Sequence, residues 1–135
     1  MGILIRGGRV GDAASQMDKI ADVYLDGCVI QEIGEKLKVK DKDDRIIDAR
    51  GMVVMPGLVD LHVHFRDPGQ TEKEDIESGS KAAARGGVTT VVAMPNTTPV
   101  IDCPDRANYV KNKAAQVSPI HVLQAGAMTK GELGC

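Results

Sequence analysis

Two histidines one residue apart, His62 and His64, are the residues best placed to do chemistry in this sequence. In an extended strand, residues i and i+2 share a face and lie about 7 Å apart along the chain. Both imidazoles and Asp60 then project to one side, while Val59, Leu61 and Val63 project to the other, into packing. Two imidazoles and a nearby carboxylate suit a divalent ion such as zinc. The spacing alone is equally compatible with two surface histidines at a strand end. A third histidine, His121, falls at the start of a later strand, remote from this end, and reads as structural.

The elements that must position these residues are legible from pattern. Residues 1–55 carry short apolar runs, Ile3–Arg6, Val23–Leu25, Val29–Ile30, Ile46–Ile47 and Met52–Met55, separated by Gly-rich turns and a charged stretch from Lys36 to Arg45. Asp26-Gly27 between two apolar runs predicts a hairpin, because a type I′ turn needs positive φ at its centre. This is an all-β module of four or five strands. Pro56-Gly57 then changes the texture. Leu58–His64 is a nearly continuous apolar run, as a buried parallel strand requires. Thr71 with Glu74 is a capping box, opening a helix to about Arg85 with Ile76, Gly79, Ala82 and Ala83 on one face. Val88–Met94 is a second strand. Asp102 caps a second helix with Pro104 in its first turn and Ala107, Val110, Ala114 and Val117 on its face. Ile120–Ala125 is a third strand. The β-α-β-α-β order implies right-handed parallel crossovers.

Composition excludes several classes of function. The 135 residues hold 17 Lys+Arg against 19 Asp+Glu, a net charge of −2, with no basic stripe for nucleic acid. Phe65, Tyr24 and Tyr109 are the only aromatics, too few for base stacking. No apolar run reaches the roughly 18 residues of a membrane span. Cys28, Cys103 and Cys135 are scattered and odd in number, which reads as reduced thiols in a cytoplasmic chain.

Pro56–His64, followed at once by Phe65-Arg66-Asp67-Pro68-Gly69, resembles the opening of the amidohydrolase superfamily, where H-x-H ends the first strand of a (β/α)₈ barrel. With Met94-Pro95-Asn96-Thr97 closing the second strand, Asn96 lying thirty-four residues after His62, the resemblance narrows to type I dihydroorotases. Allantoinases and hydantoinases share the histidines and the β module, but tend to lack the arginine two residues after the second histidine and the Pro-Asn-Thr run.

The resemblance implies an α/β fold: residues 1–55 as the N-terminal part of a small β-sandwich, and residues 56–135 as the start of a (β/α)₈ TIM-type metal-dependent hydrolase barrel, incomplete in this chain. It implies His62 and His64 as metal ligands, for one or two zinc ions per complete site, and Arg66 and Asn96 as the groups holding a substrate carboxylate. A guanidinium forks onto a carboxylate through two charge-assisted bonds, and an amide adds a donor. Asp60 would orient the site, and Asp67-Pro68-Gly69 would turn Arg66 inward. The implied reaction is reversible hydrolysis of L-dihydroorotate to N-carbamoyl-L-aspartate in pyrimidine biosynthesis, by a cytoplasmic homo-oligomer with a small-molecule substrate. The catalytic aspartate and further ligands are expected beyond residue 135. Such a barrel needs about 250 residues, so an N-terminal piece, inactive alone, is the expectation. A non-catalytic scaffold for aspartate transcarbamoylase, or a sister cyclic amidohydrolase such as an allantoinase or hydantoinase, is the alternative.

Overall fold

Two hairpins and one crossover build the first part of the chain into one mixed sheet, with the last two strands in succession along the same edge. In the computed structural model, which describes residues 1–134, the chain divides into two compact units, Met1–Pro56 and Gly57–Cys135. Cys28 and Cys103 are free and exposed; Cys135 lies outside the described residues.

The first unit contains β1 (Gly2–Asp12), β2 (Met17–Asp26), β3 (Val29–Gly34), β4 (Arg45–Asp48) and β5 (Val53–Val54). The order is β3-β2-β1-β4, with β5 also on β1; β4 and β5 run parallel to β1, the hairpins antiparallel. The first strand does not stop at Gly7-Gly8 as expected. It passes through a bulge there, held by the buried Asp22, whose carboxylate accepts the Gly7 amide at 2.7 Å. The predicted hairpin forms one residue later than expected. Asp26 pairs with Val29, so the loop is Gly27-Cys28, and the positive φ (57°) falls on Gly27. Glycine at the first central position is the type II′ solution. Alternation places Val10, Ala21 and Val23 on one face with Ile5, Leu25, Ile33 and Val54, and Leu4 and Tyr24 on the other.

The second unit is a three-stranded parallel sheet, β6 (Leu58–Val63), β7 (Val88–Ala93) and β8 (His121–Gln124), in that order. Helices α1 (Ile76–Arg85) and α2 (Pro104–Val117) cross between the strands and pack on β7 and β8. Phe65, Ile76, Val91, Ala93, Ile101, Val110 and Ala114 form the core between helices and sheet. Both helix starts differ from expectation. The cap of α1 is Asp75, whose carboxylate accepts the Ser78 amide at 2.7 Å while Ser78 Oγ accepts the Asp75 amide. Glu74, the expected cap partner, is already engaged by the Asp75 amide and the Ser78 hydroxyl. The cap of α2 is Cys103, which makes no side-chain bond; Asp102 instead pairs with Arg106 at 2.6 Å and accepts the Gly131 amide at 2.8 Å. Of the strand residues expected to pack, Val63 joins the core, but Val59 and Leu61 are 59% and 70% exposed, because the helices lie over β7 and β8 and not over β6.

A single carboxylate ties the charged loop before β4 to the first hairpin. Asp44 accepts the Gly2 amide at 2.6 Å, the Tyr24 hydroxyl at 2.7 Å and the Lys40 and Asp41 amides at 2.9 Å. The Tyr24 hydroxyl, then the amides, hold the Asp44 carboxyl well below the usual carboxylate range, and the phenol is pushed up to about 12 by the same bond. A folded-state pKa below the unfolded value of about 3.9 contributes stability that is complete above that pH and lost as pH falls toward the folded value. Tyr24 has the opposite sign: its contribution is present below about 10 and lost as pH rises through about 12. Thermal melts between pH 7 and pH 2 should therefore show Asp44→Asn with a lower Tm at neutral pH and a shallower loss on acidification. Parallel curves for variant and unsubstituted chain would show that this carboxylate is not the linked group.

Candidate metal centre

Parallel pairing of β6 with β7 sets their C-terminal ends side by side, and the Met94 amide bonds the Val63 carbonyl at 2.9 Å. His64 follows β6 and Asn96 follows β7 by the same rule, so residues thirty-two positions apart become neighbours: His64 Nδ1 lies 2.8 Å from Asn96 Oδ1. The two imidazoles meet edge to face, with ring centres 5.0 Å apart and Nε2 atoms 3.2 Å apart. Zinc binds imidazole nitrogen at about 2.0–2.1 Å in tetrahedral geometry, which places two ligand nitrogens about 3.3 Å apart. The observed separation is therefore the edge that one zinc ion would span. The donor set fits the metal on a second count, since His64 already uses its other nitrogen on an oxygen acceptor, as ligating histidines usually do. Asp60 does not join them. Its carboxylate turns back to accept the His62 amide at 3.0 Å, fixing the strand end. Among the described residues no group of three or more His, Cys, Asp or Glu side chains gathers to hold a metal.

The loop after His64 is held tightly from behind. Phe65 is buried against α1, and a Cβ at Gly79 would meet its ring at 2.5 Å, so only glycine allows that contact. Arg66 takes positive φ (58°), a conformation uncommon for a residue with a side chain, and it is half-buried. Strain of this kind concentrates at functional sites. Among the described residues its guanidinium makes no hydrogen bond, whereas Asp67 beside it meets a phenol and an ammonium. The Asp67 side chain is buried, accepts the Tyr109 hydroxyl at 3.0 Å and lies 2.5 Å from Lys113 Nζ on α2. Asp67 holds the lysine ammonium above its usual pKa. Gly69 then crosses the loop after β7, with φ of 94° and a Cβ position only 1.7 Å from the Thr98 carbonyl oxygen. The Thr98 amide bonds the Pro68 carbonyl at 3.1 Å and Gln70 reaches the Thr98 hydroxyl at 3.3 Å.

The structure thus brings His62, His64 and Asn96 together and seats Arg66 two residues further on, making no hydrogen bond to them. His121 pairs with Thr90 toward the start of β8, away from this cluster. The tie from Asp67 to Tyr109 and Lys113 was not foreseen, and no local signal could have shown it, because the partners are separated by more than forty residues.

Solved structures share this fold across nearly the whole chain. An L-hydantoinase from Arthrobacter aurescens matches with a TM-score of 0.81 at 28% identity, covering 98% of this chain and 29% of that one. A dihydropyrimidinase from Brevibacillus agri matches at 0.77 and 29% identity, covering 95% and 27%. The architecture is that of amidohydrolase barrels with a β module. Within that class the chain belongs to the dihydro-orotase-like family, whose model matches residues 51–134. A dihydroorotase of Clostridioides difficile is 57% identical over 129 residues, covering 96% of this chain, and one of Streptococcus pyogenes serotype M3 is 49% identical over 128 residues, covering 95%. The chain spans about 30% of the length of these relatives.

Two substitutions test how the loop is held. Gly69→Ala forces a Cβ into the Thr98 carbonyl at positive φ and should cost about 3 kcal/mol or more, read as a lower denaturation midpoint at unchanged slope. Lys113→Met leaves the Asp67 carboxylate buried beside one phenol, and breaking such a pair costs about 3–5 kcal/mol in buried settings. The lysine is one-third exposed, so the lower end or less is expected. Adding Asp67→Asn to Lys113→Met should recover much of the loss. A double variant weaker by the sum of both single effects would show that the ion pair is not what holds the loop.

Proposed function

We propose that this chain supplies the first metal ligands and the carboxylate-binding arginine of a zinc-dependent dihydroorotase. The observation that carries the proposal is the convergence of His62 and His64 Nε2, 3.2 Å apart, immediately before Arg66, in a chain 57% identical to a dihydroorotase over 129 residues. The reaction is reversible hydrolysis of L-dihydroorotate to N-carbamoyl-L-aspartate, a step of pyrimidine biosynthesis. The relatives named for hydantoin and dihydropyrimidine chemistry match at 28–30% identity, well below the 46–57% of the dihydroorotases, and this favours the carboxylated ring as substrate. Cytoplasmic location, a homo-oligomeric state and an association with aspartate transcarbamoylase rest on family membership. No helix among the described residues is long and apolar enough to cross a membrane.

His62 and His64 would hold zinc through Nε2, one or two ions per complete site. When bound, the metal supplies Lewis acidity at the ring carbonyl and lowers the pKa of water toward about 7. Arg66 binds the substrate carboxylate. Its five donors form a rigid planar fork that matches two carboxylate oxygens, and its strained backbone sets it at the strand end beside the ligands. Asn96 spends its carbonyl oxygen on His64, which leaves its NH₂ group to donate a further bond to the same carboxylate. The buried Asp67 holds the turn and keeps its charge away from the arginine, paired instead to Lys113. No proton-transfer group is assigned among residues 1–134.

The chain alone offers two protein ligands where catalytic zinc takes three. It should bind zinc weakly and hydrolyse no dihydroorotate; tight stoichiometric binding by calorimetry together with turnover would contradict this. Activity is tested by joining the chain to the remainder of the Clostridioides difficile relative in place of the 30% it matches. The chimera should hydrolyse dihydroorotate. Truncating one partner of a desolvated charge pair costs ~2–5 kcal/mol, and about 1.36 kcal/mol is tenfold in rate. Arg66→Ala should therefore lower kcat/KM by roughly 30-fold or more, and Arg66→Lys should recover only part. Slow turnover of dihydrouracil, which lacks the carboxylate, should hardly change. Equal losses on both substrates would place Arg66 in the support of the metal site or the loop, not on the carboxylate.

A further inference from the structure

The contact between His64 Nδ1 and Asn96 Oδ1, at 2.8 Å, admits one polarity. An amide oxygen only accepts, so the imidazole must donate, and the proton of neutral His64 must reside on Nδ1. Its Nε2 then carries a bare lone pair, directed at His62 Nε2 3.2 Å away. That second contact is also polar at both ends, and with His64 Nε2 bare, the donor is His62 Nε2–H. Amide oxygen, imidazole and imidazole form one chain of hydrogen bonds in a fixed direction. Nothing else within it can set that direction, because each imidazole by itself is free to choose either tautomer.

We propose that Asn96 is a positioning residue that selects the Nδ1–H tautomer of His64, so that both Nε2 atoms face one point and a divalent metal can take the place of the His62 proton. The proposal rests on the metal-centre reading above and deepens it. The 3.2 Å separation already matches the edge of a zinc tetrahedron, about 3.3 Å. Metal entry then requires the His62 proton to pass from Nε2 to Nδ1, while His64 keeps both its tautomer and its bond to Asn96. Asn96 is exposed and follows the strand, so its replacement should leave the fold intact. The amide oxygen thus orients a ligand, while its NH₂ group makes no hydrogen bond among the described residues.

The test is the ¹⁵N–¹H long-range spectrum of the full 135-residue chain, free of metal, at a pH where both imidazoles are neutral. His64 should show the Nδ1–H pattern and His62 the Nε2–H pattern. In Asn96→Ala, His64 should shift to a mixture or to Nε2–H, and zinc affinity should fall about 10- to 100-fold, as is usual on removing the partner of a ligating histidine. Asn96→Asp retains an oxygen acceptor and should restore the Nδ1–H pattern; a merely structural role for Asn96 would not produce that rescue. His64 found as Nε2–H in the unsubstituted chain, or unchanged in Asn96→Ala, would overturn the proposal. The metal reading fails separately, if zinc leaves both imidazole resonances of the unsubstituted chain where they were.

Discussion

The parallel pairing of β6 with β7 is the constraint on which the candidate site depends. It is made by a handful of backbone hydrogen bonds, yet it decides that the chain after Val63 and the chain after Ala93 leave the sheet at the same end. His64 and Asn96 meet for that reason alone. A parallel pair cannot be joined by a tight turn, so α1 must cross between the strands, and its length and packing set where β7 begins. The core of Phe65, Ile76, Val91 and Ala93 therefore supports the polar end of the sheet through backbone position.

Two loops convert that shared end into a defined geometry. The loop after β6 would be free to sample many directions were it not pinned by Gly69 against Thr98 and by Asp67 against α2. Buried charge is costly unless paired and hydrogen-bonded, and Asp67 has both a cation and a phenol. The consequence is a short turn fixed on two different elements, with Arg66 in a left-handed conformation immediately before it. Rigidity of this kind is what a carboxylate-binding guanidinium requires, since its fork is useful only when aimed.

Much of this was legible in the residues themselves. Apolar runs and helical patterns placed the three parallel strands and both helices of the second unit to within a few residues, and H-x-H at a strand end pointed to the imidazole pair. Capping was less legible: Thr71 and Glu74 satisfy the capping pattern as well as Asp75 and Ser78 do, and only the packing of Ile76 into the core decides which turn becomes the helix start. The first strand ran through Gly7-Gly8 because of Asp22, a partner fifteen residues away that no local rule names. Exposure of Val59 and Leu61 could not be read from an apolar run, because a run records what a strand can bury and not what covers it. The orientation of Asn96 toward His64 belongs to the same class: the pairing of chain ends was predictable, the direction of one amide was not.

The central claim is that His62 and His64 together form the seat of one divalent ion. X-ray absorption at the zinc edge, on the chain with less than one equivalent of zinc, tests it most directly. Two imidazole nitrogens at about 2.0–2.1 Å with oxygen completing the shell are expected, with loss of the imidazole scattering in His62→Ala. Sulfur scattering at about 2.3 Å, from thiols such as the exposed Cys28 and Cys103, or an imidazole signal that survives His62→Ala unchanged, would contradict it.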